Sequence, residues 1–475
     1  EVQRYAAFMD EVVDMGVYKY QGTLKAEHGT GRNMAPFVKT EWGDEAYDIM
    51  KQIKAVVDPN NIFNRGVIIN PDALVHLKNF KKYPVVEAEV DKCIECGFCE
   101  QSCPSKHVTL TPRKRIVIRR AQKRLREQGN TLAAAELDLY YQHDGIDTCA
   151  VDGMCASDCP VQINTGDLIK KLRKDQSEWH TRALAMFIAK NTKFSEAMAR
   201  FGLKFIKKIR GIAHYMPLAK HIPDSVQLSR FAAPKTTEQG DFLIFTSCIS
   251  RIITNQEIHD ADYIAHIAQK TKLKVDILPL GSGLCCGQAF SSKGYERAAE
   301  VARKNVIDML WKLTDQGRMP VIVDVSSCSQ QFMNYHFDDP IYQEKYKKLK
   351  FLDSIDFIYE HILPKISVTK KLEKVTLHPN CSTHKMNKIG KYQKIAAAIA
   401  QEVHIPIYAT CCGMAGDRGF IVPELTESAV AHQVAEVQLI NAPYHCSTSV
   451  SCNINLSKQT GKQYESLYSL IHKIL

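Results

Sequence analysis

The sequence predicts a mixed α/β, multi-domain protein, with a mainly helical cysteine-rich module followed by two repeated parallel α/β units. Three observations carry this. Seven cysteines crowd into residues 93–159, on either side of a strongly basic helical stretch. Nine of the 16 cysteines lie beyond residue 240, and eight of those recur in the same order twice. Apolar strand-like runs alternate with helical runs through that second region, the pattern of parallel α/β units. The boundaries expected are 1–75 for an amino-terminal piece, 76–235 for the helical module with its linkers, and 236–475 for the duplicated region, whose copies cover about 240–345 and 370–470.

The amino-terminal piece has one helix pair in about 75 residues, too little to bury much core alone. It opens at Glu1 rather than at methionine and reads as the tail of a larger domain whose beginning lies upstream. It contains Glu27-His28-Gly29-Thr-Gly31 and, later, Asp58-Pro59 with Asn64-Arg65-Gly66.

The helical module opens with Cys93-Ile-Glu-Cys96-Gly-Phe-Cys99-Glu-Gln-Ser-Cys103-Pro104. This is C-x2-C-x2-C-x3-C-P, the ligand spacing of a [4Fe–4S] site in which the fourth cysteine serves the other cluster. Pro104 ends the segment by fixing φ and removing a donor. A second run follows at Cys149-Ala-Val-Asp152-Gly-Met-Cys155-Ala-Ser-Asp-Cys159-Pro160, with Asp152 where the first run has its second cysteine. The segment therefore reads as a two-cluster ferredoxin module. Crossed ligation assigns Cys93, Cys96, Cys99 and Cys159 to one cluster, and Cys103, Cys149 and Cys155 to the other. Asp152 makes the second cluster either a [4Fe–4S] group with an oxygen ligand or a [3Fe–4S] group, because carboxylate is a harder donor than thiolate. Asp152 also suits a plain Asp-Gly turn.

Between the runs, Thr111-Pro112 signals a helix start and Gly129 a stop. The helix carries Arg113, Lys114, Arg115, Arg119, Arg120, Lys123, Arg124 and Arg126 against one acid, Glu127. No aromatic interleaving or recognition fold accompanies this charge, so nucleic acid is not an expected partner. A face that docks an acidic partner or balances anionic clusters is the better reading.

In the duplicated region, copy one has Cys248, Cys285-Cys286-Gly287 and Cys328, and copy two has Cys381, Cys411-Cys412-Gly413 and Cys452. The strand-like runs are Asp241–Thr246, Lys274–Pro279, Pro320–Val325, Lys374–His378 and Val403–Thr410; helical runs cover Lys293–Leu313 and Ser428–Ile440. The cysteines then fall off the carboxyl ends of parallel strands, where open α/β sheets place their sites. Backbone N–H groups there favour thiolate. The alternatives for these eight thiols are a further iron–sulfur cluster, redox-active thiols, or buried thiols only. Cys446 stands outside the repeat.

The net charge of +10 suits acidic partners or an anionic membrane face. No run approaches the ~18 apolar residues of a span. Residues 190–210 hold seven Lys or Arg, with Phe194, Met198, Phe201, Phe205 and Ile209 at helical spacing. That stripe suits either packing or peripheral membrane contact. No secretory signal is recognisable, and cluster-binding thiols must stay reduced, so a cytoplasmic protein, peripheral on the inner membrane face if membrane-associated, is expected.

Glu27-His28-Gly29-x-Gly31 with the Asp58-Pro…Asn64-x-Gly66 tail resembles the carboxyl end of FAD-linked oxidases of the vanillyl-alcohol-oxidase type. From Val90 on, the chain resembles the iron–sulfur subunits of glycolate oxidase and glycerol-3-phosphate dehydrogenase. Fused, the pieces look like iron–sulfur-containing, FAD-dependent D-lactate dehydrogenases. The resemblance implies oxidation of a D-2-hydroxy acid, most simply D-lactate to pyruvate, with electrons passing from FAD in the upstream domain through the clusters to quinone or a cytochrome. It implies His28 as base for the substrate hydroxyl and Glu27 as ligand of a divalent metal. Arg65 replaces the usual proline of Asn-Pro-Gly. Two further readings stay open. One is an electron-transfer subunit serving a separate flavoprotein. The other is thiol chemistry of the heterodisulfide-reductase kind, although Val325 and Ser449 stand where that pattern has one more cysteine per copy.

Overall fold

The computed structural model describes residues 1–25, 31–80, 83–208, 222–223, 226–230, 240–278 and 280–475. These form two compact units, Glu1–Tyr83 and Pro84–Leu475.

The first unit contains α1 (Val2–Val13) and α2 (Val38–Val57), the latter interrupted at Gly43. Its buried apolar residues are few: Met9, Val13, Ala35, Val38 and Tyr47. Asp58 shapes the turn after α2 by accepting from the amides of Ile62 at 2.8 Å and Phe63 at 3.0 Å. Around it Ile49, Ile53, Val56, Val57, Ile62 and Phe63 are exposed.

The second unit begins with the helical module. Its basic helix α3 (Pro112–Glu127) starts where Thr111 Oγ1 accepts from the Lys114 amide at 3.4 Å, with Pro112 supplying a preset φ. Gly129, at φ +74°, turns the chain out after it. Helix α4 (Thr131–Tyr141) packs back on α3; α5 (Met154–Asp158) carries Cys155 of the second cysteine run, with Cys159 just past its end, and α6 (Thr165–Gln176) follows. Helices α7 (Trp179–Lys190) and α8 (Thr192–Lys208) lead toward the duplicated region.

That region holds two four-stranded parallel sheets of identical order. The strands are β1 (Gln227–Leu228), β2 (Phe242–Phe245), β3 (Ile253–Thr254), β4 (Val275–Ile277), β5 (Val321–Val323), β6 (Phe351–Asp353), β7 (Leu372–His378), β8 (Ala400–His404), β9 (Tyr444–Ser447) and β10 (Tyr464–Glu465). The first sheet runs β4-β2-β5-β6 and the second β8-β7-β9-β10; β1 and β3 form a short antiparallel pair. Central strands are buried on both faces, as parallel sheets require: Ile244, Phe245, Val321, Val323, Val375 and Leu377. The largest apolar cluster spans both copies, joining Ile264, Ile277 and Phe357 to Tyr392, Ile399 and Leu470. The two units of the repeat share one core.

Two expectations need correction. The strand expected over Val403–Thr410 is β8, which ends at His404; Pro406 has no N–H to continue the ladder, and Ile405–Thr410 form a loop. The helices expected to start at Lys293 and Ser428 start at Glu296 and Pro423. In the first case Gly294 at φ +85° delays the start. In the second, Pro423 is preorganised for a first turn.

Candidate iron–sulfur sites

Cys93, Cys96, Cys99 and Cys159 line one pocket of about 360 Å³, counting space open to solvent. The loop can wrap because Gly97 takes φ +92° and Glu95 φ +61°. Cys96 is exposed and the other three are half-buried. Burial pushes the Cys99 thiol up to about 11, so a thiolate there needs a positive partner such as iron. The cations nearby are matched: Arg113 pairs with Glu100 at 3.0 Å and Arg120 with Glu95 at 2.8 Å.

The second set is deeper. Cys103 and Cys155 are buried and Cys149 half-buried; burial pushes the Cys155 thiol up to about 12. Asp152 Oδ1 accepts from the Met154 amide at 3.2 Å, the bond of an Asx turn. Its Oδ2 is buried without a partner. Such an orphan costs free energy unless something binds it. Arg115, 1% exposed, reaches Cys103 Sγ at 3.7 Å, Ser105 Oγ at 2.9 Å and the Gly145 carbonyl at 2.7 Å. Three soft sulfurs, an unpartnered carboxylate oxygen and a buried guanidinium suit an anionic cluster with one oxygen ligand.

In the duplicated region each cysteine follows a strand end: Cys248 after β2, Cys285 and Cys286 after β4, Cys328 after β5, and Cys381, Cys411, Cys412 and Cys452 after β7, β8 and β9. The sulfurs gather in pairs. Cys248 and Cys285 are 3.9 Å apart, Cys286 and Cys328 3.2 Å, and Cys412 and Cys452 3.1 Å. A hydrogen bond from Cys411 holds the Cys381 thiol below the usual range. The sulfurs of each copy thus gather in neighbouring pairs, an arrangement that suits soft metal or dithiol chemistry. Cys446 lies apart, inside β9 and fully buried.

Among the described residues, no three His, Cys, Asp or Glu side chains converge on a single metal ion. The sulfurs of the first set surround a void instead, the arrangement a multi-iron group needs. Glu27 and His28 lie outside the described residues.

Sequence reasoning did not place Arg115 and Arg173 at the second set, nor the second set against copy two. Lys385, four residues after Cys381, donates to the Asp152 carbonyl, and Ala150 packs with Cys411. The unusual density of arginine in α3 was the available signal for Arg115.

Comparison with known proteins follows the same divisions. The model of FAD linked oxidases, C-terminal domain, matches residues 1–68. The 4Fe-4S dicluster domain matches 89–163, and the Cysteine-rich domain matches twice, at 242–333 and 375–457. The chain carries these three domain families. D-2-hydroxyglutarate dehydrogenase of Haemophilus influenzae is 22% identical across 96% of the chain, which spans 52% of that relative's length. The glycolate oxidase iron-sulfur subunit of Escherichia coli is 20% identical over 77% of the chain and 89% of its own length. Lactate utilization protein A of Bacillus subtilis is 28% identical over 38% of the chain and 77% of its own length. The dicluster domain contains both cysteine runs, and the two Cysteine-rich matches contain the two CCG copies.

Proposed function

We propose that the chain is the iron–sulfur part of a flavin-linked oxidoreductase that oxidises a D-2-hydroxy acid, D-lactate to pyruvate being the first reaction to test. The observation that carries this is the set of four thiols around one pocket, in a chain whose amino-terminal piece matches the FAD-linked oxidase carboxyl-terminal domain. When bound, flavin supplies a hydride acceptor and the clusters supply one-electron transfer toward quinone or a cytochrome. Cys93, Cys96, Cys99 and Cys159 would hold the first cluster; Cys103, Cys149, Cys155 and Asp152 Oδ2 the second.

His28 takes the substrate hydroxyl proton, a role an imidazole fills near neutral pH. Glu27 helps hold a divalent metal that positions the substrate. Both roles rest on the resemblance. The exposed apolar side chains around α2, Ile49, Ile53, Val56 and Val57 among them, are a surface for the flavin-binding part to cover. Cys248, Cys285, Cys286 and Cys328, with Cys381, Cys411, Cys412 and Cys452, would take electrons onward, copy two adjoining the second set. The apolar edge of α8 is where the protein would meet a quinone-bearing membrane.

The test uses the protein together with its FAD-binding part, replete in iron and flavin. D-lactate, glycolate and D-2-hydroxyglutarate are offered anaerobically and flavin bleaching is followed. D-lactate is expected to bleach it. Bleaching only by another of the three moves the substrate within the class, and no bleaching by any removes the reading. A second reading is favoured by the near full-length match to the glycolate oxidase iron-sulfur subunit: the chain would serve a flavoprotein on a separate polypeptide. Co-purification of a distinct flavoprotein polypeptide, with no FAD-binding part on the same polypeptide as this chain, would select it.

A further inference from the structure

The two cysteine sets of the dicluster domain sit in different charge environments. At the first, each nearby guanidinium has its own carboxylate, Arg113 with Glu100 and Arg120 with Glu95. At the second, the cations are bonded only to neutral groups and sulfur. Arg115 is held by Gly145 O, Ser105 Oγ, Thr148 Oγ1 and Cys103 Sγ. Arg173 of α6 donates to the carbonyls of Ile146 at 2.7 Å, Cys149 at 2.9 Å and Ser292 at 2.6 Å. Lys385 donates to the carbonyl of Asp152 itself. Among the described residues none of these three cations has a carboxylate within ion-pair distance.

A buried guanidinium without a counter-ion costs several kcal/mol, because neutral acceptors satisfy its N–H groups but not its charge. Arg251 shows what this fold does otherwise: it is fully buried in copy one and paired with Glu196 at 3.0 Å. The charge left over around the second set therefore calls for an anion there. Net charge and hydrogen bonding around a cluster shift its potential, positive charge favouring the reduced, more negative state.

We propose that Arg115, supported by Arg173 and Lys385, is a built-in counter-charge that raises the reduction potential of the second cluster above that of the first. Arg115 is a positioning and tuning residue, not a ligand. Electrons would then settle on the cluster next to copy two, so the charge pattern gives the module a direction. Burial of the second set and the Asp152 carboxylate both oppose this by penalising the more negative state, and on this proposal the three cations outweigh them. The inference rests on reading Cys103, Cys149, Cys155 and Asp152 as a cluster site.

The test is an EPR-monitored redox titration of the anaerobically purified chain, with iron counted on each sample. In the parent protein the second cluster is expected to titrate at the higher potential. Arg115→Met and, separately, Lys385→Gln should lower its midpoint and leave the first cluster's in place; Arg115→Lys should keep it near the parent value. A purely structural role would not give charge-dependent rescue by lysine. If Arg115→Met fails to fold, Lys385→Gln and Arg115→Lys still decide, since Lys385 is only half-buried. A second midpoint unmoved by removal of these charges, or parent potentials in the reverse order, overturns the proposal alone. Only one cluster in iron-replete parent protein removes the cluster reading and the proposal together.

Discussion

Asp152 uses its two carboxylate oxygens differently, one to close a turn on the Met154 amide and one left buried and unbonded. The turn alone would be satisfied by asparagine, so the free oxygen is the informative atom. Asp152→Cys is expected to change the EPR signal of the second cluster, leave that of the first untouched and raise bound iron if the parent site holds three. An unchanged spectrum would leave Asp152 a turn residue only. His378 is a second residue whose burial has a measurable consequence. It is fully buried at the end of β7, facing Gln433 Oε1 at 3.0 Å through Nδ1, with Nε2 unpartnered. Burial pushes its pKa down to about 4. The unfolded chain binds a proton near pH 6.5 and the folded chain does not until about 4, so stability falls as pH drops through that window, by up to about 3 kcal/mol. Asp324, which burial raises to about 6, acts with the opposite sign: its stabilising protonated form is lost as pH rises toward 6. The two are separated by comparing parent and His378→Asn in thermal melts from pH 7 to 4. The variant should lose part of the acid-side slope, with His445, which burial also pushes down to about 4, supplying the rest, and parallel curves would show that His378 contributes nothing to it.

At the scale of elements, the start of α3 and the glycines of the CCG pairs do the positioning. Thr111 caps α3 and also donates to Glu100, so it ties the helix to the loop that carries the first set. Thr111→Ala should destabilise the chain by about 1 kcal/mol in denaturant titrations and loosen iron at the first site. An unchanged midpoint would mean that Pro112 alone starts the helix. Gly413 takes φ +77°, and a Cβ there would meet the Leu425 carbonyl at 2.8 Å and Ala429 Cβ at 3.0 Å; Gly287 takes φ +83° against the Ala299 carbonyl at 3.0 Å. Alanine at either should cost more than about 1 kcal/mol, with the greater loss at Gly413, where the approach is tighter. Much at this scale was legible in the sequence: the cap of α3, Gly129, the parallel strands before Cys248, Cys328 and Cys381, and the repeat itself are encoded by local residue type and spacing. Strand ends were less so. β4 and β5 have only three residues each, and where such a strand stops is set by its neighbour's register and by residues such as Pro406, not by its own apolar run.

At the scale of the whole molecule, the placement of the second cysteine set against copy two was not legible, because Asp152 and Lys385 lie 233 positions apart and no local pattern joins them. The α8 stripe shows the same division. Its helical period can be read from the sequence, but which way it faces depends on tertiary partners. On the inner side of α8, Glu196 is ion-paired to buried Arg251 of the first copy, and Leu203 is itself buried. They anchor one side of α8 and leave Phe194, Met198, Phe201 and Phe205 on the outside, 57%, 51%, 64% and 52% exposed; Ile209 lies outside the described residues. Trp179, Leu184 and Phe187 of α7 are exposed as well, and Lys190, Lys193, Lys204 and Lys208 stand exposed along the same two helices. No helix among the described residues is long and apolar enough to cross a membrane, so contact would be with the interface. Apolar rings beside lysines suit an anionic bilayer, each buried ring contributing about 1.5–3 kcal/mol. In flotation with phosphatidylglycerol-containing vesicles, the chain should float at low salt and less at high salt. The double variant Phe201→Glu/Phe205→Glu should bind at least about tenfold more weakly, with cluster content unchanged as the control for folding. Equal flotation of parent and variant would assign the stripe to another occupant.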